Sequence, residues 1–212
     1  MYDYYGDSIP IKQVIDEVSS LKEGGTLAVM LGCHALKRGY QAKIYTYNLQ
    51  VFDPVWFQNK TDIPSKLSKQ IKHKTNRRLR TSTNAYLEFF KLGGKVLFED
   101  LTPSLIRKYL NRSTPILTGL SSTYLYHSAR ERVSDCKEDD IQGEPTGHFV
   151  ILCGYDKEKK SVLVADPYKH NPLSDKQLYP VHAHRLIGAI LLGIVTYDAN
   201  LLIIERTKDA KR

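Results

Sequence analysis

The sequence lacks an uninterrupted apolar stretch long enough to cross a bilayer. A membrane-spanning helix needs about 20 mainly apolar residues, and the most apolar region, AILLGIVTYDANLLIIER, is interrupted by Tyr197, Asp198 and Asn200. The first ten residues, MYDYYGDSIP, carry two aspartates and no apolar core of a signal peptide. These absences predict a soluble protein that has no membrane partner.

Cysteine is scarce, and the common cofactor motifs are missing. The three cysteines, Cys33, Cys136 and Cys153, are odd in number and irregularly spaced, so they match neither a CxxC metal pair nor a disulfide framework. This usage favours a reducing compartment, and we expect a cytoplasmic location. GxGxxG, GxxxxGK[ST], HExxH and GxSxG are all absent. The sequence therefore predicts no cofactor.

Histidine offers one weak metal signal. His182 and His184 flank Ala183, and two histidines spaced in this way can bind a metal from a strand. The spacing suggests no third ligand, and the other histidines are isolated along the chain. We therefore predict no metal site.

Acidic residues are absent from the segment 66–80, KLSKQIKHKTNRRLR, which contains seven cations. Without these seven charges, the formal net charge of +8 falls to +1. The segment has no Phe, Tyr or Trp for stacking on bases, which weakens a nucleic-acid interpretation. A solvated basic helix or loop is the simplest interpretation, and an acidic partner at 66–80 is the alternative.

The order of hydrophobic patterns predicts an α+β fold. A chain of 212 residues with 42% hydrophobic content can bury one sizeable core, so we predict a single domain, 1–212. Helical patterns dominate about 1–113, and strand-like segments dominate about 114–206. The expected architecture is an N-terminal helical half packed on a C-terminal antiparallel sheet.

Helix boundaries follow from periodicity and capping residues. The segment IPIKQVIDEVSSL has apolar residues at helical spacing, so one face is expected to pack inward. The next helix is predicted to have Thr26 as its N-cap, STNAYLEFFKLGG to have Ser82 or Thr83, and LTPSLIRKYLNR to have Thr102. AKIYTYNL alternates like a half-buried strand.

A histidine and an aspartate occupy matching ends of a predicted hairpin. His148 opens the strand GHFVILCGYD, and Asp166 closes the strand SVLVAD, with the polar turn DKEKK between the two strands. The even separation places both side chains at one end and on one face. An imidazole oriented by a carboxylate is the arrangement of a general base. The alternative is a strand-capping histidine and a turn aspartate before Pro167.

The same segments resemble a known peptidase family. GHFVILCGYD and VLVADPY are similar to the histidine and aspartate motifs of the bacteriocin-processing cysteine peptidases, the papain-like peptidase family thirty-nine. YYGDSIPIKQVIDEV and the following GGTLAVMLGCHALKRGYQAKIYTYNL resemble the helical half of that family, whereas 55–115 matches it weakly. The resemblance implies a papain-like fold, a peptide or protein substrate, His148 as general base and Asp166 as its orienting partner.

The nucleophile is where the sequence departs from this family. The family carries its cysteine in a Cys-Gly-Pro motif that opens a helix, and the end of that helix resembles MYDYYGD. By this resemblance the cysteine would lie about a dozen residues before Gly6, and hence before Met1. Either the natural chain begins upstream, or this relative has lost its nucleophile.

None of the three cysteines of the sequence is a convincing substitute. Cys33 is expected inside a helix, far from the helix N-terminus that would lower its pKa. Cys136 is surrounded by acidic residues, which disfavour a thiolate, and Cys153 should point to the sheet face opposite His148. The chain as given is therefore predicted to be inactive. A peptide-binding pseudo-peptidase is the alternative function, and hydrolysis and acyl transfer remain undistinguished.

Overall fold

The computed structural model describes residues 1–21, 25–58 and 61–207. Contacts between residues divide the chain into two compact units. The first unit contains residues 1–99 and the chain from Leu202 onward, and the second contains residues 100–201. Across the described ranges, no helix combines the length and the apolar character needed to cross a bilayer.

The first unit contains four α-helices and a small group of strands among its described residues. Strands β1 and β2 pair in parallel, with Lys43 opposite Lys95, and the strand order is β2-β1-β7. Strand β7 begins in the second unit and continues into the first. The elements are α1 (Ile11–Glu17), α2 (Ala28–Lys37), β1 (Tyr40–Thr46), α3 (Ile63–His73), α4 (Arg77–Lys91), β2 (Lys95–Leu97) and β7 (Asn200–Arg206).

Phe89 of α4 anchors the core of the first unit. Its side chain is fully buried, and its ring lies so close to Gly32 of α2 and to Gly94 that a Cβ at either position would collide with it. Glycine at these two positions therefore allows α2 and the turn after α4 to approach the ring. The packing of α2 against α4 depends on this aromatic contact.

Phe89→Ala is expected to lower the free energy of unfolding by about 3 to 5 kcal/mol, because it removes a buried ring and leaves a cavity. Ile15→Ala is the control, since Ile15 is 67% exposed and surface substitutions usually change stability by about 0.5 kcal/mol or less. Urea denaturation of both variants measures the difference. Equal losses in the two variants would contradict the assigned packing.

The second unit combines an antiparallel sheet with three α-helices. Its strand order is β3-β4-β5-β6, and each strand pairs antiparallel with the next. A 3-10 helix at Gly193–Thr196 follows the last helix. The elements are α5 (Pro103–Leu110), β3 (Ile116–Ser121), α6 (Ser122–Tyr126), β4 (Gly147–Asp156), β5 (Ser161–Ala165), β6 (Leu178–His182) and α7 (Ala183–Leu192).

Alternation along the strands places one face of this sheet in the core. Val150 and Leu152 of β4 are buried, whereas the alternating residues Phe149 and Ile151 are half-buried. Helices α5 and α7 pack against the sheet, and Ile106 of α5 and Leu186 and Ile190 of α7 are fully buried. The second unit thus has its own helical layer.

The predicted division into a helical half and a sheet half is too simple. Residues 183–192, within the predicted sheet half, form helix α7. In the predicted helical half, AKIYTYNL overlaps β1, so that predicted strand is present, and β2 is a second strand that was not predicted. The segment AHRLIGAILL is apolar on most of its faces, so its helical period is weak and it reads like a buried strand. Length and composition alone could not separate the two.

Some predicted helix details are wrong. Helix α1 ends at Glu17, and Ile11 of its predicted inward face is 74% exposed. Leu27, not Thr26, occupies the N-cap position of α2, without a side-chain hydrogen bond. The Thr26 hydroxyl donates to the carbonyl of Ser19. Helix α4 begins at Arg77, and its N-cap, Asn76, lies before both predicted caps, Ser82 and Thr83. At α2 the Thr26 hydroxyl is used by a loop carbonyl, and at α4 an earlier polar residue, Asn76, takes the cap.

Thr102 is the N-cap of α5, as the sequence predicts. Its hydroxyl accepts a hydrogen bond from the backbone N–H of Leu105 at 3.2 Å, and Pro103 occupies the first helical position. This position suits proline, because the missing N–H would have no partner within the helix. Local chemistry decides this boundary without competition from tertiary packing.

Candidate active site

The β4–β5 hairpin places a histidine and an aspartate at the same end of the sheet. Ile151 lies opposite Ala165, and the register shifts at a bulge around Cys153. Continuing the pairing from Ala165 by one residue puts Asp166 opposite Val150, two residues from His148. Because side chains alternate along a strand, residues two apart share a face. His148 and Asp166 therefore lie on one face of the sheet.

The two side chains are in direct contact. Nε2 of His148 lies 2.8 Å from Oδ1 of Asp166. The side chain of Asp166 is fully buried, and that of His148 is 23% exposed. The proximity expected from the hairpin spacing is present, while the catalytic role of the pair remains a proposal. The buried Asp166 carboxylate thus holds the imidazole of His148 from its buried side, and the imidazole is partly exposed to solvent.

Four donors surround the carboxylate of Asp166. Oδ1 accepts from Nε2 of His148 and from the backbone N–H of Tyr168 at 2.9 Å. Oδ2 accepts from the hydroxyl of Tyr126 at 2.7 Å and from that of Tyr179 at 2.5 Å. An ionised carboxylate can only accept hydrogen bonds, so Nε2 carries the proton in this contact. Nδ1 is then the nitrogen that can accept one.

Hydrogen bonding keeps Asp166 ionised despite its burial. Burial alone would raise the pKa of Asp166, but hydrogen bonds from Tyr179, His148 and Tyr126 outweigh it and lower the pKa below its ordinary value. Burial, followed by the nearby Asp166, raises the pKa of both tyrosines. Their hydroxyls therefore stay protonated and remain donors.

A match to a sequence family covers both residues of the pair. The model of the Peptidase C39-like family matches residues 56–185, which is more than half of the chain. The chain belongs to the Peptidase C39-like family. The α+β architecture is accordingly papain-like. Membership of this family indicates a cysteine-peptidase-like protein. Comparisons with curated proteins and with solved structures give no significant match.

The residues matched by the family model, 56–185, are not the same as the segments that carry the resemblance seen in the sequence. Most of 55–115, expected to match weakly, falls inside the matched range. The N-terminal residues 1–55, whose segments resemble the helical half of the family, lie outside it. His148 and Asp166 are both inside. The family assignment therefore rests on the segment that contains the candidate site.

Backbone contacts hold Asp166 in place after β5. Its N–H donates to the carbonyl of Gln177 at 2.8 Å, and the side chain of Gln177 donates to the carbonyls of Asp166 and Pro167 at 3.1 and 2.9 Å. These contacts tie the end of β5 to the residue before β6. The carboxylate is thus supported by a fixed turn.

Helix α7 fixes the helix that carries Tyr126. The guanidinium of Arg185 donates through Nε and Nη2 to the carbonyl of Leu125, at 2.9 and 2.6 Å. At the other end of α6, the hydroxyl of Ser121 accepts from the N–H of Tyr124. Both ends of this short helix are therefore satisfied, and the Tyr126 hydroxyl has a defined position.

The three cysteines are poorly suited to act as nucleophiles. Cys33 is buried and donates to the carbonyl of Ala85, and burial raises the pKa of its thiol to about 11. Cys153 lies at the bulge and is exposed as a residue, but partial desolvation of its thiol raises the thiol pKa. Cys136 is exposed beside Asp135. Within the described part of the chain, no hydrogen bond links these thiols to His148.

Sequence reasoning missed the two tyrosines. Tyr179 lies opposite Val164 in β6, and Val164 is two residues before Asp166, so strand pairing could have placed Tyr179 on the same face. Tyr126 gives no such signal, because it reaches Asp166 from a helix 40 residues away in sequence. Fourteen tyrosines are spread along the chain, and composition cannot select two of them.

The other sequence signals lie outside this site. The rings of His182 and His184 are 5.1 Å apart between centroids, and the described residues contain no group of three side chains suited to hold a metal ion. The basic segment forms the end of α3, a short link and the start of α4. All seven of its cations are exposed: Lys66, Lys69, Lys72, Lys74, Arg77, Arg78 and Arg80.

Proposed function

We propose that this chain provides the acid-base pair of a cysteine peptidase, with His148 as the general base and Asp166 as its orienting partner. The observation that carries the proposal is the 2.8 Å contact between Nε2 of His148 and Oδ1 of the buried Asp166. It holds the imidazole with Nε2–H toward the carboxylate and Nδ1 available to a substrate or thiol. This is the division of roles in a nucleophile–base–orienter triad.

The reaction begins with proton transfer from a thiol to His148. The resulting thiolate attacks the carbonyl carbon of a peptide bond, and the C–N bond breaks as the imidazolium protonates the leaving amine. Water, deprotonated by the neutral imidazole, then attacks the thioester and releases the acid and the thiol. Asp166 stabilises the imidazolium in both steps, and an amine in place of water would give acyl transfer.

The test compares two forms of the protein. Residues 1–212 alone are expected to leave peptides uncleaved, because a single general base accelerates a reaction by only about 10² to 10⁴-fold. A longer form with a Cys-Gly-Pro helix placed before Met1 should react rapidly with iodoacetamide at neutral pH, because a helix N-terminus and an imidazolium both lower a thiol pKa. Mass spectrometry locates the alkylated residue.

Two results would count against the proposal. Peptide cleavage by residues 1–212 that Cys33→Ser abolishes would identify Cys33 as the nucleophile. A longer form that alkylates no faster than free cysteine, yet binds peptide in a titration, would favour the peptide-binding module. Both results can be measured on the same two forms of the protein and the Cys33→Ser variant.

The exposed cations of α3 and α4 favour a second candidate function, binding of an acidic polypeptide. The segment 66–80 contains no acidic residue, and every one of its seven cations reaches solvent. Without aromatic side chains in the segment, stacking on bases has no support there. Charge complementarity with a run of carboxylates is the interaction that this surface offers.

Neutralising Lys72, Lys74, Arg77 and Arg78 to Gln is expected to weaken binding of a fluorescent oligo-glutamate peptide by at least about 4-fold, since each exposed pair contributes about 0.2 to 1 kcal/mol. The matched control neutralises four exposed lysines of the second unit, Lys157, Lys159, Lys160 and Lys169. Anisotropy titrations at 50 and 300 mM salt measure both. Salt-insensitive binding, or equal losses in both variants, would contradict this surface.

A further inference from the structure

We propose that Tyr126 and Tyr179 are positioning residues that fix the Asp166 carboxylate so that it can orient His148. The inference rests on the proposed function, because it assigns roles within the same site. The two residues come from separate elements, helix α6 and strand β6. Neither residue touches a reacting atom in this assignment, since both act through Asp166.

The two carboxylate oxygens of Asp166 have different side-chain partners. Both hydroxyls donate to Oδ2, at 2.7 and 2.5 Å, while Oδ1 receives Nε2–H of His148. A carboxylate with one oxygen bonded twice on the far side cannot rotate without breaking both contacts. The tyrosines therefore hold Oδ1 in the position that selects the Nε2–H tautomer of the imidazole.

No donor to Asp166 carries a permanent charge. The groups that face the carboxylate are His148 from β4, Tyr126 from α6, Tyr179 from β6 and the backbone of Tyr168. In the described part of the chain, no Lys or Arg forms an ion pair with Asp166. Neutral donors keep the carboxylate ionised without a competing cation, so its charge stays directed at His148.

The contribution of the tyrosines can be measured without a nucleophile. In residues 1–212, Tyr126→Phe and Tyr179→Phe should each raise the pKa of Asp166, because each removes a hydrogen bond that favours the ionised form. A ¹³C NMR titration of the Asp166 carboxyl carbon reports this pKa. Tyr168→Phe is the control, since the backbone of Tyr168, and not its hydroxyl, contacts Asp166.

A second readout separates positioning from packing. In the wild type, ¹⁵N shifts should show His148 with the proton on Nε2 at high pH. The double variant Tyr126→Phe/Tyr179→Phe should show a mixture of tautomers, while circular dichroism confirms that the fold is retained. In the longer form with the upstream thiol, the double variant should lower kcat by about 10-fold and leave KM unchanged, the loss expected for a hydrogen bond to a charged group.

The outcomes distinguish this inference from the proposed function. An unchanged pKa of Asp166 in both single variants, or an unchanged His148 tautomer in the double variant, would overturn the role of the tyrosines even if the longer form cleaves peptides. The expected pKa and tautomer changes in a protein whose longer form is inert would support the positioning of His148 and contradict the peptidase proposal alone.

Discussion

His148→Ala is expected to abolish both rapid thiol alkylation and peptide cleavage in the form that carries a Cys-Gly-Pro helix before Met1. The variant removes the proton acceptor for the thiol and the donor for the leaving amine, so both halves of the reaction lose their acid-base group. The loss in kcat/KM should be at least about 10² to 10⁴-fold. Iodoacetamide kinetics and a peptide cleavage assay measure the two effects.

His170→Ala is the matched control for this substitution. His170 is exposed and lies four residues after Asp166, so it is close to the candidate site in sequence and touches neither member of the pair in the described residues. Its removal should leave alkylation and cleavage within about 2-fold of the wild type, since a solvated surface side chain contributes little. Activity that survives His148→Ala would remove this residue from the reaction.

The hairpin that holds the pair could be predicted from the sequence because its signals are local. The polar turn DKEKK fixes the two strands, and alternation then determines which side chains share a face. The shared face also depends on the bulge at Cys153, which the sequence does not signal. At the register next to the turn, Asp166 would lie opposite Ile151 and on the other face from His148, whereas the bulge brings it opposite Val150. Short-range patterning therefore predicts the hairpin and the shared end, but not the register shift that completes the pair.

The supporting shell could not be predicted in the same way. Arg185 holds the end of α6 that carries Tyr126, and this contact spans 60 residues of sequence. Helix α7, which carries Arg185, reads as a strand in the sequence because its apolar residues surround most of the helix. Long-range contacts depend on the packed fold, and no local pattern encodes them.

The capping signal was informative at α5, where a proline marks the first helical position. Thr102 stands immediately before Pro103 and the apolar run of α5, and its cap is present in the structure. Before α4, in contrast, Asn76 captures the N–H of Leu79 at 2.9 Å within the basic segment, and the helix starts before Ser82 and Thr83. Both of these are buried inside the helix, so packing rather than capping explains them.

Asp166→Ala is expected to lower the free energy of unfolding by roughly 3 to 5 kcal/mol at neutral pH. The substitution leaves His148, Tyr126, Tyr179 and a backbone N–H without their shared acceptor, and unpaired buried donors are costly. Asp156→Ala is the control, because Asp156 is exposed and its carboxylate accepts from the N–H of Lys159 in the hairpin turn. Urea denaturation at pH 7 compares the two variants with the wild type.

The same pair of proteins should converge in stability as the pH falls. The pKa of Asp166 is lowered in the folded state, so its ionised form stabilises the fold above the unfolded value of about 3.9. That contribution is lost as the pH falls through the folded pKa, because the carboxyl then becomes protonated in both states. The stability gap between wild type and Asp166→Ala should therefore narrow as the pH falls below about pH 4. A gap that stays constant down to pH 2 would show that lost packing, and not the ionised carboxylate with its four donors, accounts for the destabilisation.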